Sequence, residues 1–250
     1  MSFTDVMSGL LLVFILATVA LMLQVSQKQQ ALADTQHTLN AKVTEAKKQQ
    51  AAFSTQIDKV NEAEVIRTQM LKEISERLNA AGIQVTVNSD TSVLSIPTAA
   101  LGFASGSYTI EPQYAARAAA IGQVLSDVIR KDDRFKYLDT VFVEGHTDSE
   151  PFNGPLNMDN WGLSTFRAIS LWQLWGQSMP GDSRLDALKN AQGGPLFSVS
   201  GYADTRPVDD APAGIPDFAG NRRIDIRITI IRPSSKELEK ISDDFSDGTK

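Results

Sequence analysis

Cysteine is absent from the 250 residues, which excludes a disulfide framework and any thiolate nucleophile or ligand. An oxidising compartment is permitted but not demanded. Histidine occurs only at His37 and His146, so no histidine-based metal site is expected. No basic residue precedes Lys28, and neither proline nor glycine occurs between residues 24 and 81. The net charge is −6 with no dense basic patch, which argues against a nucleic-acid partner. Internal repeats and low-complexity tracts are also missing.

What is present begins with MSFTDVMSGLLLVFILATVALMLQ, an apolar run from Val6 to Leu23 with Asp5 at its lip. A helix over Phe3 to Leu23 rises roughly 30 Å, enough to cross a bilayer core. The run lacks the basic n-region of a signal peptide and exceeds the usual ~7–15 residue h-region. A carboxylate at such a place is costly unless it faces a partner or a wet path. From position alone, Asp5 fits either an ion site or a helix cap lying among the headgroups. At ~100° per residue Asp5, Ser8, Gly9, Leu12, Leu16, Val19 and Leu23 share one stripe, acidic and small at its start.

The pattern then divides the rest of the chain. The segment after the transmembrane helix (1–24) is a helical spacer over 25–81, rich in Gln, Ala, Lys and Glu. If wholly helical it reaches roughly 85 Å. Leu32, Leu39 and Val43 make a loose heptad seam, and Leu71, Ile74 and Leu78 a short one. A weak coiled coil and a solvated spacer both fit that pattern. Gly82 is the expected stop.

A globular α/β domain is expected over 82–233, a mixed sheet covered by helices. IQVTVN and VLSIP flank the turn-rich NSDTS as a hairpin. Pro112 opens a helix over about 112–131. LDTVFVEG and LFSVSGYA are strands, with the amphipathic helix LSTFRAISLWQLWGQ between them. ADTRPVDDAPAGIPDFAG is a loop. RRIDIRITIIRP alternates, with Ile224, Ile226, Ile228 and Ile230 on one face. Residues 234–250 are a polar tail. Trp161, Trp172 and Trp175 are expected to pack in the core or at its rim.

Chemistry-bearing residues gather in three stretches: Gly145-His146-Thr147-Asp148 at a strand end, Asn160-Trp161-Gly162-Leu163-Ser164 with Arg167-Ala168 at a helix start, and Asn221-Arg222-Arg223 at the last strand. A strand end beside a helix N-terminus collects backbone N–H groups and polar side chains. Taken by themselves, Asp148 and Arg167 are most simply read as pairing with each other. A Ser164–His146–Asp148 triad would need an unusual local arrangement and has no oxyanion-loop signature, so no catalysis and no cofactor are expected.

These stretches, with Gly201-Tyr202-Ala203-Asp204-Thr205-Arg206-Pro207, resemble the OmpA-like peptidoglycan-binding domain, whose pattern is GHTD, N…LS..RA, G.(G/A)…P and NRR. The resemblance covers about residues 83–232. It implies that Asp148 and Arg167 hold the charged ends of the peptide-stem diamino acid, with Thr147, Asn160, Leu163 and Arg223 shaping the pocket. Thr4-Asp5-Val6-Met7-Ser8-Gly9-Leu10 followed by LLLVF resembles the membrane segment of MotB-type stator subunits, in which an aspartate carries the transported proton. That implies a homodimer within a ring, likened to a pentamer, of multi-pass MotA- or ZorA-like subunits. It also implies a single pass through the lipid bilayer of the bacterial inner membrane, with a cytoplasmic N-terminus and a periplasmic wall-binding domain. Lys28 and Lys42 mildly favour the opposite orientation by the positive-inside rule, but a wall-binding domain has to lie outside. The short segment before Asp5 and the long spacer are most similar to ZorB-type subunits of Zorya anti-phage defence. A flagellar or gliding stator subunit is the alternative, and a passive OmpA- or Pal-like tether the second.

Overall fold

The computed structural model describes residues 3–155, 158–208 and 218–238. It is an α/β protein whose chain divides into two units, one formed by the described parts of Met1–Ile57 and Pro233–Lys250, the other by Asp58–Arg232. Most of the expected tail (239–250) and the middle of the Pro/Gly/Asp loop (209–217) lie outside the described residues.

Helix α1 runs Phe3–Ala80. No proline or glycine interrupts it after Gly9, and good helix formers fill its polar stretch. In the first unit its opening section contains an 18-residue window of mean hydropathy 2.7 with no residue buried, long and apolar enough to cross a membrane. The Thr18 hydroxyl donates back to the carbonyls of Phe14 and Ile15 at 2.9 and 2.8 Å, so it is satisfied within the helix itself. Asp5 lies in the first turn of the helix, exposed. Leu32, Leu39 and Val43 are also exposed.

The second unit begins at Asp58 rather than at 82, because the last turns of α1 form part of its core. Met70, Leu71, Ile74 and Leu78 are fully buried there. The short seam at Leu71, Ile74 and Leu78 is therefore covered by the protein's own sheet layer and is not free to pair with a second copy, a correction to the sequence expectation. Glu73 adds polar clamps, accepting from Arg134 Nη1 at 2.8 Å and from Lys131 Nζ at 3.2 Å. Those two cations hold its carboxyl below the usual range, Arg134 most, against the opposing effect of burial. At Gly82 the backbone turns left-handed (φ 74°), and the Ile83 N–H closes on the Leu78 carbonyl at 2.9 Å.

The hairpin expected next is β1 (Thr86–Val87) and β2 (Val93–Pro97), joined by a turn in which the Asn88 side chain accepts from the Ser92 and Val93 amides, both at 2.9 Å. A short helix α2 (Thr98–Leu101), then α3 (Ala115–Arg130), β3 (Leu138–Gly145), α4 (Asn160–Ser178), β4 (Phe197–Gly201), α5 (Phe218–Asn221) and β5 (Arg223–Ile230) complete it. The sheet order is β1-β2-β5-β3-β4, with β3 and β4 parallel and the other neighbours antiparallel. Ile224, Ile226 and Ile228 join Leu94, Ile96, Val141 and Val143 in a core against α1, α3 and α4. The alternate residues of β5 face the other way: Arg227 donates from Nε to Glu144 at 3.0 Å and lies 4.4 Å over the Phe142 ring.

Two glycine positions let α4 sit directly on the sheet. Gly145 and Gly201 are register partners across β3 and β4. A Cβ on Gly145 would stand 1.9 Å from the Ser164 carbonyl oxygen, and one on Gly201 2.3 Å from Thr165 Oγ1. Trp175 fixes the other end of α4 by donating from Nε1 to the Ala118 carbonyl of α3 at 2.7 Å. Gly145→Ala should therefore cost about 2–3 kcal/mol or prevent folding, since backbone cannot yield as a side-chain tip does. Gly181→Ala, with open space around it, should be close to neutral. Thermal unfolding of the two variants checks this, with a drop of roughly 5–10 °C expected for the first alone.

Candidate functional site

The strand end that follows Gly145 is held from three sides. The His146 amide donates to the Arg223 carbonyl at 3.0 Å and the Thr147 amide to the Ala203 carbonyl at 2.9 Å. Ala203, at φ 51°, turns its own amide onto Ser164 Oγ at 3.0 Å, while the Ser164 hydroxyl donates to the Trp161 carbonyl at 3.0 Å. One fully buried serine of α4 thus ties the loop after β4 to the segment carrying Asp148. At the start of α4 the Asp159 carboxylate accepts from the amides of Trp161 and Gly162 at 3.0 and 3.2 Å. Asn160 donates from Nδ2 to the carbonyls of Glu150 and Asp148 at 3.0 and 3.4 Å, which holds the backbone on the far side of Asp148.

Asp148 and Arg167 do not pair with each other through a hydrogen bond. Arg167, only 2 % exposed, donates from Nε to the Ser107 carbonyl at 2.8 Å and from Nη2 to the Ala104 carbonyl at 3.2 Å. Asp148 Oδ2 accepts from Arg222 Nη1 at 2.6 Å. The three charges still act on one another. Burial lowers the Arg167 guanidinium most, Asp148 opposes it and Arg222 adds to it, so that it ends at about 10. Arg167 is thus a desolvated cation, still charged at neutral pH, beside a carboxylate whose side chain is 13 % exposed.

Other expected site residues fall around this pair in different ways. Thr147 is buried with an unpartnered hydroxyl, and Leu163 is buried as an apolar wall. Arg223 sits elsewhere: its Nε donates to both oxygens of Asp225 at 3.1 and 3.0 Å, and its Nη2 to the Arg206 carbonyl at 3.1 Å. The residue meeting Asp148 is its neighbour Arg222. The NRR stretch signalled an arginine here, and the side-to-side alternation of a strand start decides which of the two faces the site. Of the tryptophans, Trp175 is buried and Trp172 stacks on Phe197 at 5.3 Å, while Trp161 is 51 % exposed beside the site. No catalytic triad forms from Ser164, His146 and Asp148, since His146 faces Asp225 and Ser164 bonds backbone.

Behind the site lies a second buried cluster. His146 Nε2 stands 3.1 Å from Asp225 Oδ2 without aligned hydrogen-bond geometry, its Nδ1 has no partner, and its ring stacks on Tyr202 at 5.6 Å. Burial raises the Asp225 carboxyl, but His146, Arg223 and Ser95 outweigh that and hold it below the ordinary carboxylate range. A depressed folded-state pKa stabilises the fold above the unfolded value, and that contribution fades as pH falls through the depressed one. Asp225→Asn should therefore cost about 3 kcal/mol at pH 7 by stranding Arg223. Its deficit relative to the parent should shrink as pH falls below about 4. Denaturant unfolding across pH 2–7 measures both effects.

No family model matches the chain, and no curated protein matches it. Among solved structures, one similar fold is the cell wall anchor of the T6SS from Pseudomonas aeruginosa, at 24 % identity over 64 % of this chain and 97 % of that one, with a TM-score of 0.45. A putative MotB like protein from Desulfovibrio vulgaris is similar at 19 % identity over 69 % and 99 %, with a TM-score of 0.49. The periplasmic domain of Helicobacter pylori MotB is similar at 19 % identity over 60 % and 83 %, with a TM-score of 0.44. At these values the likeness assigns no function to this chain.

Proposed function

We propose that this chain is the wall-anchored subunit of an ion-driven membrane motor of the MotB type. It would be a binding and ion-carrying protein rather than an enzyme, single-pass in the inner membrane with its second unit in the periplasm. The observation that carries the wall-binding half is that Asp148 and Arg167 lie close enough to act on each other electrostatically while each is held by other partners. A carboxylate for an ammonium and a desolvated guanidinium for a carboxylate match the zwitterionic end of a peptide-stem diamino acid. The motor half is supported by Asp5, an acid in the first turn of a helix apolar enough to cross a bilayer. Its partners would be a second copy of this chain and a ring of MotA- or ZorA-like subunits, with the proton as the transported ion. The resemblance of Thr4 to Leu10 and the length of α1 favour a Zorya-type role in phage defence over motility.

Wall binding is checked with the full chain in detergent and purified sacculi. Asp148→Ala should abolish co-sedimentation, and Arg167→Lys should weaken it, because an ammonium cannot reproduce the planar fork on two carbonyls. Undiminished binding of the Asp148 variant would remove the site.

The motor reading is checked in cells by Asp5→Asn. Loss of phage protection, with unchanged membrane level and partner co-purification, is the expected outcome. Full activity in that variant would leave only a passive tether. Lost swimming with intact phage resistance on deletion of the gene would move the role to motility.

A further inference from the structure

The carboxylate assigned to a ligand ammonium is already occupied in the free protein. Arg222 Nη1 stands 2.6 Å from Asp148 Oδ2, and no other side chain is recorded on that carboxylate among the described residues. The two arginines around it differ in freedom. Arg167 is locked, with Nε and Nη2 on the carbonyls of Ser107 and Ala104. The Arg222 side chain is 38 % exposed and its guanidinium makes no other hydrogen bond among the described residues, while the Arg222 carbonyl is held by the Thr98 amide at 2.9 Å, so the guanidinium can leave Asp148 by side-chain rotation alone. It also stands in the short segment between α5 and β5, outside any helix or strand ladder.

We propose that Arg222 is a displaceable internal counterion of Asp148, and that its displacement restricts the site to ligands carrying an ammonium and a carboxylate together. The inference rests on the wall-binding reading above. A largely buried carboxylate needs a counter-charge, and Arg222 supplies it while the site is empty. An incoming ammonium takes that role and expels Arg222. The expelled guanidinium then stands close to Arg167 and to the new ammonium, three cations around one carboxylate. A ligand carboxylate placed between Arg222 and Arg167 relieves that repulsion and engages the Nη1 group that Arg167 has left uncommitted. A simple amine has nothing to offer there, so Arg222 rejects it. Discrimination comes from a repulsive element as much as from an attractive one.

The test uses the full chain in detergent, calorimetric titration, and three probes: meso-diaminopimelate, 1,5-diaminopentane and pimelate. The parent protein should bind the first and neither of the others. Arg222→Gln should bind 1,5-diaminopentane at least about tenfold more tightly than the parent does, while losing affinity for diaminopimelate, so that selectivity collapses. Arg222→Lys, which keeps the charge, should restore rejection of the diamine. Unchanged diamine affinity in Arg222→Gln, with diaminopimelate binding intact in the parent, would overturn the counterion role and leave wall binding standing. An equal gain for both ligands would show a mere steric block and would also overturn it. No binding of diaminopimelate by the parent would instead overturn the wall-binding reading, and this inference with it.

Discussion

The contact on which the site depends is the seating of α4 on the glycine rung of the sheet. Gly145 and Gly201 lie side by side across two parallel strands, and both are followed by loops that enter the candidate site. Because neither has a side chain, the Ser164 carbonyl and the start of the next turn rest on bare backbone. That close approach lets one hydroxyl, on Ser164, reach the Ala203 amide, and Ala203 in turn reaches Thr147. Asp148 follows Thr147, and Arg167 lies one turn beyond Ser164. The distance between helix and strand end is thus set by backbone contact and by a buried hydrogen-bond chain rather than by adaptable side chains.

Electrostatics follows from that geometry. Arg167 is carried below the surface by the helix, and two loop carbonyls satisfy it there. Its charge is therefore fixed in place, while the charge on Arg222 stays near solvent. One buried and one partly exposed cation act on a single carboxylate. A site arranged this way keeps its carboxylate compensated and carries one net positive charge. The neighbouring His146–Asp225–Arg223 cluster uses the same ingredients for a different end, since its charges are buried behind the strand and contribute to stability.

The last turns of α1 show how one helix serves two environments. Its first section is apolar all round, its middle is polar with exposed Leu32 and Leu39, and its end buries Met70, Leu71, Ile74 and Leu78. No single amphipathic period describes such a helix. Seams read from the sequence as equivalent belong to different surroundings, one open and one closed.

Periodicity and turn chemistry make much of this protein legible in its sequence. The apolar run after Asp5, the stop at Gly82, the hairpin around Asn88, the α3 and α4 helices and the alternating β5 are all local signals, fixed by backbone preference and by which side chains avoid water. The motif stretches also point to Asp148 and Arg167. Tertiary structure alone decided three things. Leu71, Ile74 and Leu78 face their own sheet, because an apolar stripe records that it is buried but not against what. Arg222 rather than Arg223 meets Asp148, because adjacent residues at a strand start point to opposite sides and the phase is set by pairing with β2 and β3. Asp148 and Arg167 remain unpaired with each other, because loop carbonyls distant in sequence claim one and an arginine 74 positions on claims the other. Such partners depend on long-range packing, which spacing along the chain does not encode.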